Sequence, residues 1–124
     1  MFKEAFPILT AGDTARALGF YRDLLGCTVT YRFPADGEPA YVGLRLGQSA
    51  FGIGVAEPGV QHEHAVTGDR FAMCVYAKDC DVAIAHLRAN GVAILSEPAD
   101  QPWGETMAEV RDPDGNRVVI LSRL

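Results

Sequence analysis

The sequence predicts an α+β fold made of two tandem β-α-β-β-β modules. The first observation is an internal repeat, in which one offset in the numbering relates Asp13 to Asp79, Ala17 to Ala83 and Leu18 to Ile84. The second is that short apolar segments follow one another without the crossover helices that an all-parallel sheet needs. Because the repeat period is near half the chain, it indicates two similar modules that share a core, not a solenoid.

The first module covers about residues 1–56. Its predicted elements, in order, are a strand over 4–10, a helix over 14–25 and strands near 27–33, 38–46 and 49–55. The helix is indicated by apolar side chains at three- and four-residue spacing from Leu18 to Leu25, and Gly26 is placed to end it. Asp36-Gly37 and Gly47-Gln48 mark the turns between the strands.

A connection over about residues 57–68 leads to the second module, which covers about 69–124. This module is predicted as a strand near 70–77, a helix near 79–90 and strands near 92–95, 104–111 and 117–122. Asp112-Pro113-Asp114-Gly115-Asn116 is a strong turn signal, because proline presets one turn dihedral and glycine tolerates a positive one.

Length and composition indicate one ordinary globular domain over residues 1–124, with 48% hydrophobic and 22% charged residues. The formal net charge is −5 and no basic cluster occurs, which argues against nucleic acid as a partner. No apolar stretch has the length of an export signal or a membrane span, so a cytoplasmic protein without membrane contact is expected. Cys27, Cys74 and Cys80 form no Cys-x-x-Cys motif and are expected to stay reduced.

Two motifs then identify a family. The helix segment Phe20-Tyr21-Arg22-Asp23-Leu24-Leu25-Gly26-Cys27 and the tail from Trp103-Gly104-Glu105 to Arg117-Val118-Val119 resemble the glyoxalase/bleomycin-resistance/extradiol-dioxygenase superfamily. The resemblance covers essentially the whole chain. It implies that each module curls into half of a cup, and that the two halves form an open, barrel-like sheet around a site.

Enzymes of that superfamily hold a divalent metal with His, Glu or Gln side chains. Aligning the local motifs places the corresponding positions at Phe6, one of Gly52, Ile53 and Gly54, Ala72 and Val119. None of these side chains has a lone pair to offer a metal ion. The sequence therefore predicts that the usual metal site is absent and that the protein has no cofactor.

The metal-free pattern resembles the bleomycin-resistance branch, whose members are generally homodimers that sequester a flat aromatic drug. The resemblance implies a metal-independent binding protein, with a small aromatic or amphipathic molecule and a second copy of the chain as its partners. The alternative is a metal-dependent lyase or dioxygenase with non-standard ligands. For that chemistry His62 and His64 are the leading candidates, because imidazole is a common ligand of zinc.

The candidate ligand-binding residues are Phe6, Phe33, Tyr41, Cys74, Trp103, Met107, Glu109 and Val119. Trp103 could stack on a planar ligand or cap the edge of the core. Aromatic side chains on strands are more often core residues. Tyr41 is the better candidate for a pocket, because its hydroxyl needs a polar partner. Met107 and Glu109 share a strand face, from which a carboxylate would attract a cationic ligand if it does not point to solvent.

Overall fold

The predicted α+β class and the β-α-β-β-β order are confirmed in a computed structural model, which describes residues 1–55 and 71–124. The chain divides into two units, Met1–Gln61 and His62–Leu124, and each unit carries one sheet. The connection predicted at about 57–68, with His62 and His64 in it, lies outside the described residues.

The first unit contains a four-stranded sheet and one helical segment. Its elements are β1 (Ile8–Ala11), α1 (Thr14–Leu18) continued by a π-helical segment (Gly19–Leu24), β2 (Thr28–Phe33), β3 (Tyr41–Leu46) and β4 (Ser49–Val55). The strand order is β1-β4-β3-β2, with β1 parallel to β4 and the other pairs antiparallel. β1 starts later than the predicted residue 4. Pro7 has no N–H for a ladder, and it contributes its carbonyl to Gly52 N at 2.9 Å.

The second unit repeats this topology. Its elements are β5 (Ala72–Tyr76), α2 (Cys80–Ala89), β6 (Ile94–Asp100), β7 (Glu105–Arg111) and β8 (Arg117–Arg123), in the order β5-β8-β7-β6. β6 runs past the predicted residue 95 through Pro98. A proline is tolerated there because β6 is an edge strand whose register to β7 shifts on both sides of Ser96.

The sheets are open and are not closed into a barrel, in agreement with the open form that the resemblance implies. Within the described residues, β1 and β2 are the two edges of the first sheet, and β5 and β6 are the two edges of the second. Each sheet is therefore open, and the fold consists of two mixed four-stranded sheets.

A single helix covers one face of each sheet. In the first unit, Phe20 and Tyr21 are buried, and the Tyr21 ring meets Phe51 of β4 edge to face at 5.4 Å between centroids. In the second unit, Ile84 and Leu87 of α2 are buried together with the inward residues of β7 and β8. No described helix is long and apolar enough to cross a membrane.

Because side chains alternate along a strand, the register defines a second face on each sheet, here called the distal face. On the first sheet it carries Ile8, Thr10, Tyr31, Phe33, Tyr41, Gly43, Gly52 and Gly54. On the second sheet it carries Cys74, Tyr76, Glu105, Met107, Glu109, Arg117, Val119 and Arg123.

The two helices begin in the same way, as the sequence repeat predicts. Asp13 and Asp79 both have extended backbone, with φ of −147° and −144°. Each carboxylate accepts a hydrogen bond from the backbone N–H three residues later, Arg16 and Val82 respectively, at 3.1 Å. Both aspartates are therefore helix N-caps.

Asp79→Ala should lower the free energy of unfolding by about 0.5–2 kcal/mol, because the first turn of α2 loses its side-chain acceptor. Urea denaturation monitored by circular dichroism measures this loss. Asp79→Asn is the matched control, since asparagine keeps an acceptor oxygen and caps about as well. An equal loss in both variants would show that the cap is not the source of the stability.

Candidate functional site

The distal face of the first sheet carries a group of aromatic rings. Phe33 on β2 lies opposite Tyr41 on β3, and the Tyr31 and Tyr41 rings are 6.2 Å apart at a tilt of 56°. Phe33 is 59% exposed and Tyr31 is 56% exposed, although both are large apolar side chains. Tyr31, Phe33 and Tyr41 are called the aromatic platform below.

The predicted residues Phe33 and Tyr41 are thus neighbours, whereas Tyr31 was not among the candidate ligand-binding residues. Its signal in the sequence is the two-residue spacing from Phe33, which puts both on one strand face. The third predicted residue of this unit, Phe6, precedes β1 and is 56% exposed.

Glycines open the surface beside the platform. Gly43, Gly52 and Gly54 lie on the same distal face. The Tyr41 ring lies against Gly52, where an added Cβ atom would be 2.6 Å from two of its ring carbons. Gly43 and Gly52 are buried and Gly54 is half-buried, so the exposed surface here consists mainly of the aromatic rings.

The distal face of the second sheet brings together four predicted residues. Cys74 on β5 is opposite Val119 on β8, which is opposite Glu109 on β7, and Met107 is two residues away on the same face. Cys74 is exposed, whereas Val119 is 5% exposed. The Val119 side chain is therefore a packed part of this face and offers little surface to a ligand.

Glu109 is not an isolated carboxylate. Arg117 on the neighbouring strand donates to both of its oxygens, from Nε at 3.1 Å and from Nη2 at 2.6 Å. The pair is partly buried, with side-chain exposures of 31% for Arg117 and 20% for Glu109. A bidentate pair of this kind neutralises the carboxylate, so Glu109 does not present the net negative charge expected to attract a cationic ligand.

Trp103 lies in the turn before β7 and is 60% exposed, so it does not cap the core. Its indole Nε1 donates to Glu105 at 2.9 Å. A hydrogen bond to the same carboxylate raises the pKa of Tyr76, and the Arg123 guanidinium lies 4.0 Å from the centre of the Tyr76 ring. One carboxylate thus orients two exposed aromatic side chains.

Two of the three cysteines, Cys27 and Cys80, are not activated as nucleophiles. All three are free, and burial raises the pKa of Cys27 to about 11. Burial is also the main cause that raises the pKa of Cys80, with smaller contributions from Asp81 and Asp79. The thiolate is the reactive form, so Cys27 and Cys80 are protonated and unreactive near neutral pH.

The positions that correspond to the superfamily's metal ligands do not fit a metal. Gly52, Gly54, Ala72 and Val119 lie on the distal faces, and their side chains contain no donor atom. No group of three or more His, Cys, Asp and Glu side chains suited to a metal ion occurs in residues 1–55 and 71–124.

The chain belongs to the Glyoxalase/Bleomycin resistance protein/Dioxygenase superfamily, whose family model matches residues 5–120. This match and the paired β-α-β-β-β units agree with the resemblance seen in the two sequence motifs. No match was found among curated proteins.

Solved structures share the fold at low sequence identity. TioX from a Micromonospora species is 22% identical with a TM-score of 0.76, and the match covers 98% of this chain and 100% of TioX. A protein of unknown function from Agrobacterium tumefaciens is 22% identical with a TM-score of 0.78, covering 100% and 96%. A superfamily member from Sphaerobacter thermophilus is 21% identical with a TM-score of 0.73, covering 98% of both chains.

Trp103→Ala should cost less than about 1.5 kcal/mol of stability, because an exposed ring and one exposed hydrogen bond are lost. Phe20→Ala should cost about 3–5 kcal/mol, since this ring is 2% exposed in the core of the first unit. Guanidinium denaturation of both variants checks the difference. Comparable losses would place the Trp103 indole in a packed environment.

Proposed function

We propose that the protein binds a small aromatic or amphipathic molecule without the help of a metal ion. The observation that supports this most directly is the aromatic platform of Tyr31, Phe33 and Tyr41, in which apolar rings stay exposed on a sheet face. A contiguous exposed apolar patch marks a binding surface more often than it marks surface without a function. Aromatic rings also favour stacking on other rings, by about 0.5–1.5 kcal/mol beyond the burial of their area.

The polar groups of the second unit support an amphipathic ligand. Its distal face carries the Glu109–Arg117 pair, and Glu105 holds the exposed Trp103 indole. Within the second unit, these groups can recognise polar substituents beside the exposed Trp103 indole. Within the first unit, Phe6 adds exposed apolar surface. The positions that the resemblance assigns to the superfamily's ligand set support metal-free binding, because none of them offers a donor atom.

The test is a titration, monitored by isothermal titration calorimetry, with two probes that contain a planar aromatic group, metal-free bleomycin and the dye ethidium. Phe33→Ala should weaken binding by about 1–3 kcal/mol, which is roughly 5- to 150-fold, because apolar contact and stacking are both lost. Phe2→Ala is the matched control, since Phe2 is 94% exposed and belongs to no strand. Equal effects of the two substitutions would contradict a site on the platform.

The same titration after exhaustive chelation separates the two candidate functions. Binding and melting temperature should both stay unchanged, because removal of a bound ion would take away its mass-action stabilisation. A loss of several degrees, restored by a divalent metal, would instead favour the metal-dependent lyase or dioxygenase, with His62 and His64 as the first ligands to replace.

A homodimer is part of the proposal. All six residues of β2 are exposed, and they include Val29, Tyr31 and Phe33, so an apolar edge strand of the first sheet is uncovered in the single chain. Exposed strand edges invite pairing with another chain unless they are protected. Association through a two-fold axis is the commonest way in which identical chains cover such surfaces.

Sedimentation equilibrium at micromolar concentration should give about twice the 13.4 kDa mass of the chain. Tyr31→Lys should shift the mass towards the single chain, because a charge on an apolar edge strand opposes pairing. Lys3→Glu, a charge change outside the strands, is the control. A single-chain mass for the unsubstituted protein would rule out the dimer.

A further inference from the structure

The Tyr41 ring lies closer to Gly52 than it could to a residue with a Cβ atom at that position. Tyr41 pairs with Gly54 across β3 and β4, so Gly52 is its diagonal neighbour on the same face. A Cβ atom on Gly52 would lie 2.6 Å from both Cε2 and Cζ of Tyr41. Carbon atoms in contact normally stay about 3.5–4.0 Å apart. The phenol ring therefore lies directly on the backbone of β4.

Gly54 shows that this contact is specific to position 52. The two glycines share a strand and a face, and neither has a positive φ. A Cβ atom on Gly54 would meet a single atom, Ile8 Cγ2, at an ordinary 3.7 Å. Backbone conformation thus requires glycine at neither site, whereas a Cβ atom at position 52 would displace the Tyr41 ring from its place.

The contact fixes the orientation of the platform. With its ring held against Gly52, Tyr41 lies beside Tyr31 at 6.2 Å and opposite Phe33. A ring that is ordered before binding loses less conformational entropy when a ligand stacks on it. The strand backbone supplies this order without a bulky side chain that would stand up from the face.

We propose that Gly52 is the positioning residue that makes the first unit selective for planar aromatic ligands. It lets the hydroxyl end of the Tyr41 ring lie against the β4 backbone, and the ring held there favours a planar molecule over a globular one of the same charge. The ligand class rests on the proposed function, whereas the seating of Tyr41 by Gly52 can be tested without any ligand.

The stability arm uses a double-mutant cycle in thermal melting, with Gly52→Ala, Tyr41→Ala and the double variant. Gly52→Ala should lower the melting temperature in the native background and have little effect in the Tyr41→Ala background, because the clash is then gone. Gly54→Ala is the matched control and should leave the melting temperature close to native. If Gly52→Ala alone fails to fold, the double variant should still fold. Equal losses in both backgrounds would overturn the seating.

The binding arm compares ethidium, which is planar, with tetrabutylammonium, a globular cation of the same charge. Gly52→Ala should weaken ethidium binding about tenfold or more, and the double variant should bind ethidium as Tyr41→Ala does. Gly54→Ala should bind ethidium as the unsubstituted protein does. The affinity for tetrabutylammonium should be low in the unsubstituted protein and in all four variants. An affinity for tetrabutylammonium equal to that for ethidium in the unsubstituted protein would overturn the selectivity for planar ligands.

The two arms separate the possible failures. Coupled melting with no ethidium binding by the unsubstituted protein would overturn the proposed function and the ligand class, and would leave the seating of Tyr41 supported. Ethidium binding that falls equally in Gly52→Ala and Gly54→Ala would overturn the role of Gly52 while supporting a binding function for the protein.

Discussion

In residues 1–55 and 71–124, each four-stranded sheet has one helix, and one helix can cover only one face. This constraint determines much of the rest of the molecule. The apolar side chains that alternate towards α1 or α2 form the core of each unit, for example Val42 and Ile53 in the first and Val118 and Ile120 in the second. Layered folds are stable when an apolar face is packed on a second element. Whatever the distal faces carry must be tolerated in water or covered by something other than the helix.

The two units carry different side chains on their distal faces, although their helix caps and strand pairing are alike. Asp13 and Asp79 cap the two helices with nearly the same dihedral angles, and both sheets pair the first strand with the last in parallel. Yet the first distal face carries tyrosine, phenylalanine and glycine, while the second carries the Glu109–Arg117 pair and Met107. The repeated parts are those that build the fold, and the parts that differ are the surfaces that a ligand or a second chain can contact.

The elements that could be predicted from the sequence are those with local causes. The turn at residues 112–116 forms because Asp112 accepts hydrogen bonds from the backbone of Asp114 and Asn116 and Gly115 adopts φ of +86°. α2 follows from its apolar spacing and its cap. The length of β6 was underestimated, because the tolerance of Pro98 depends on β6 being an edge strand, which no local signal reveals.

The site was harder to predict because its interactions cross between strands. The sequence places Glu109 and Met107 on one strand face, but the neutralisation of Glu109 depends on a register that brings Arg117 alongside it. Trp103, in contrast, has a local partner, because its indole donates to Glu105 two residues later. The residue type of Glu109 was informative, but its electrostatic environment came from the neighbouring strand.

Position 52 links the missing metal donors to the aromatic surface. The resemblance assigns one metal ligand of the superfamily's enzymes to β4, at position 52, 53 or 54. A donor side chain at position 52 would occupy the space that the Tyr41 ring now fills. The two arrangements exclude each other sterically, because any side chain begins with a Cβ atom. The glycine that removes a donor is therefore the same residue that lets an aromatic ring lie on the sheet. At that point of the fold the chain offers no donor atom to a metal ion, and the Tyr41 ring lies in the space that a longer side chain would need.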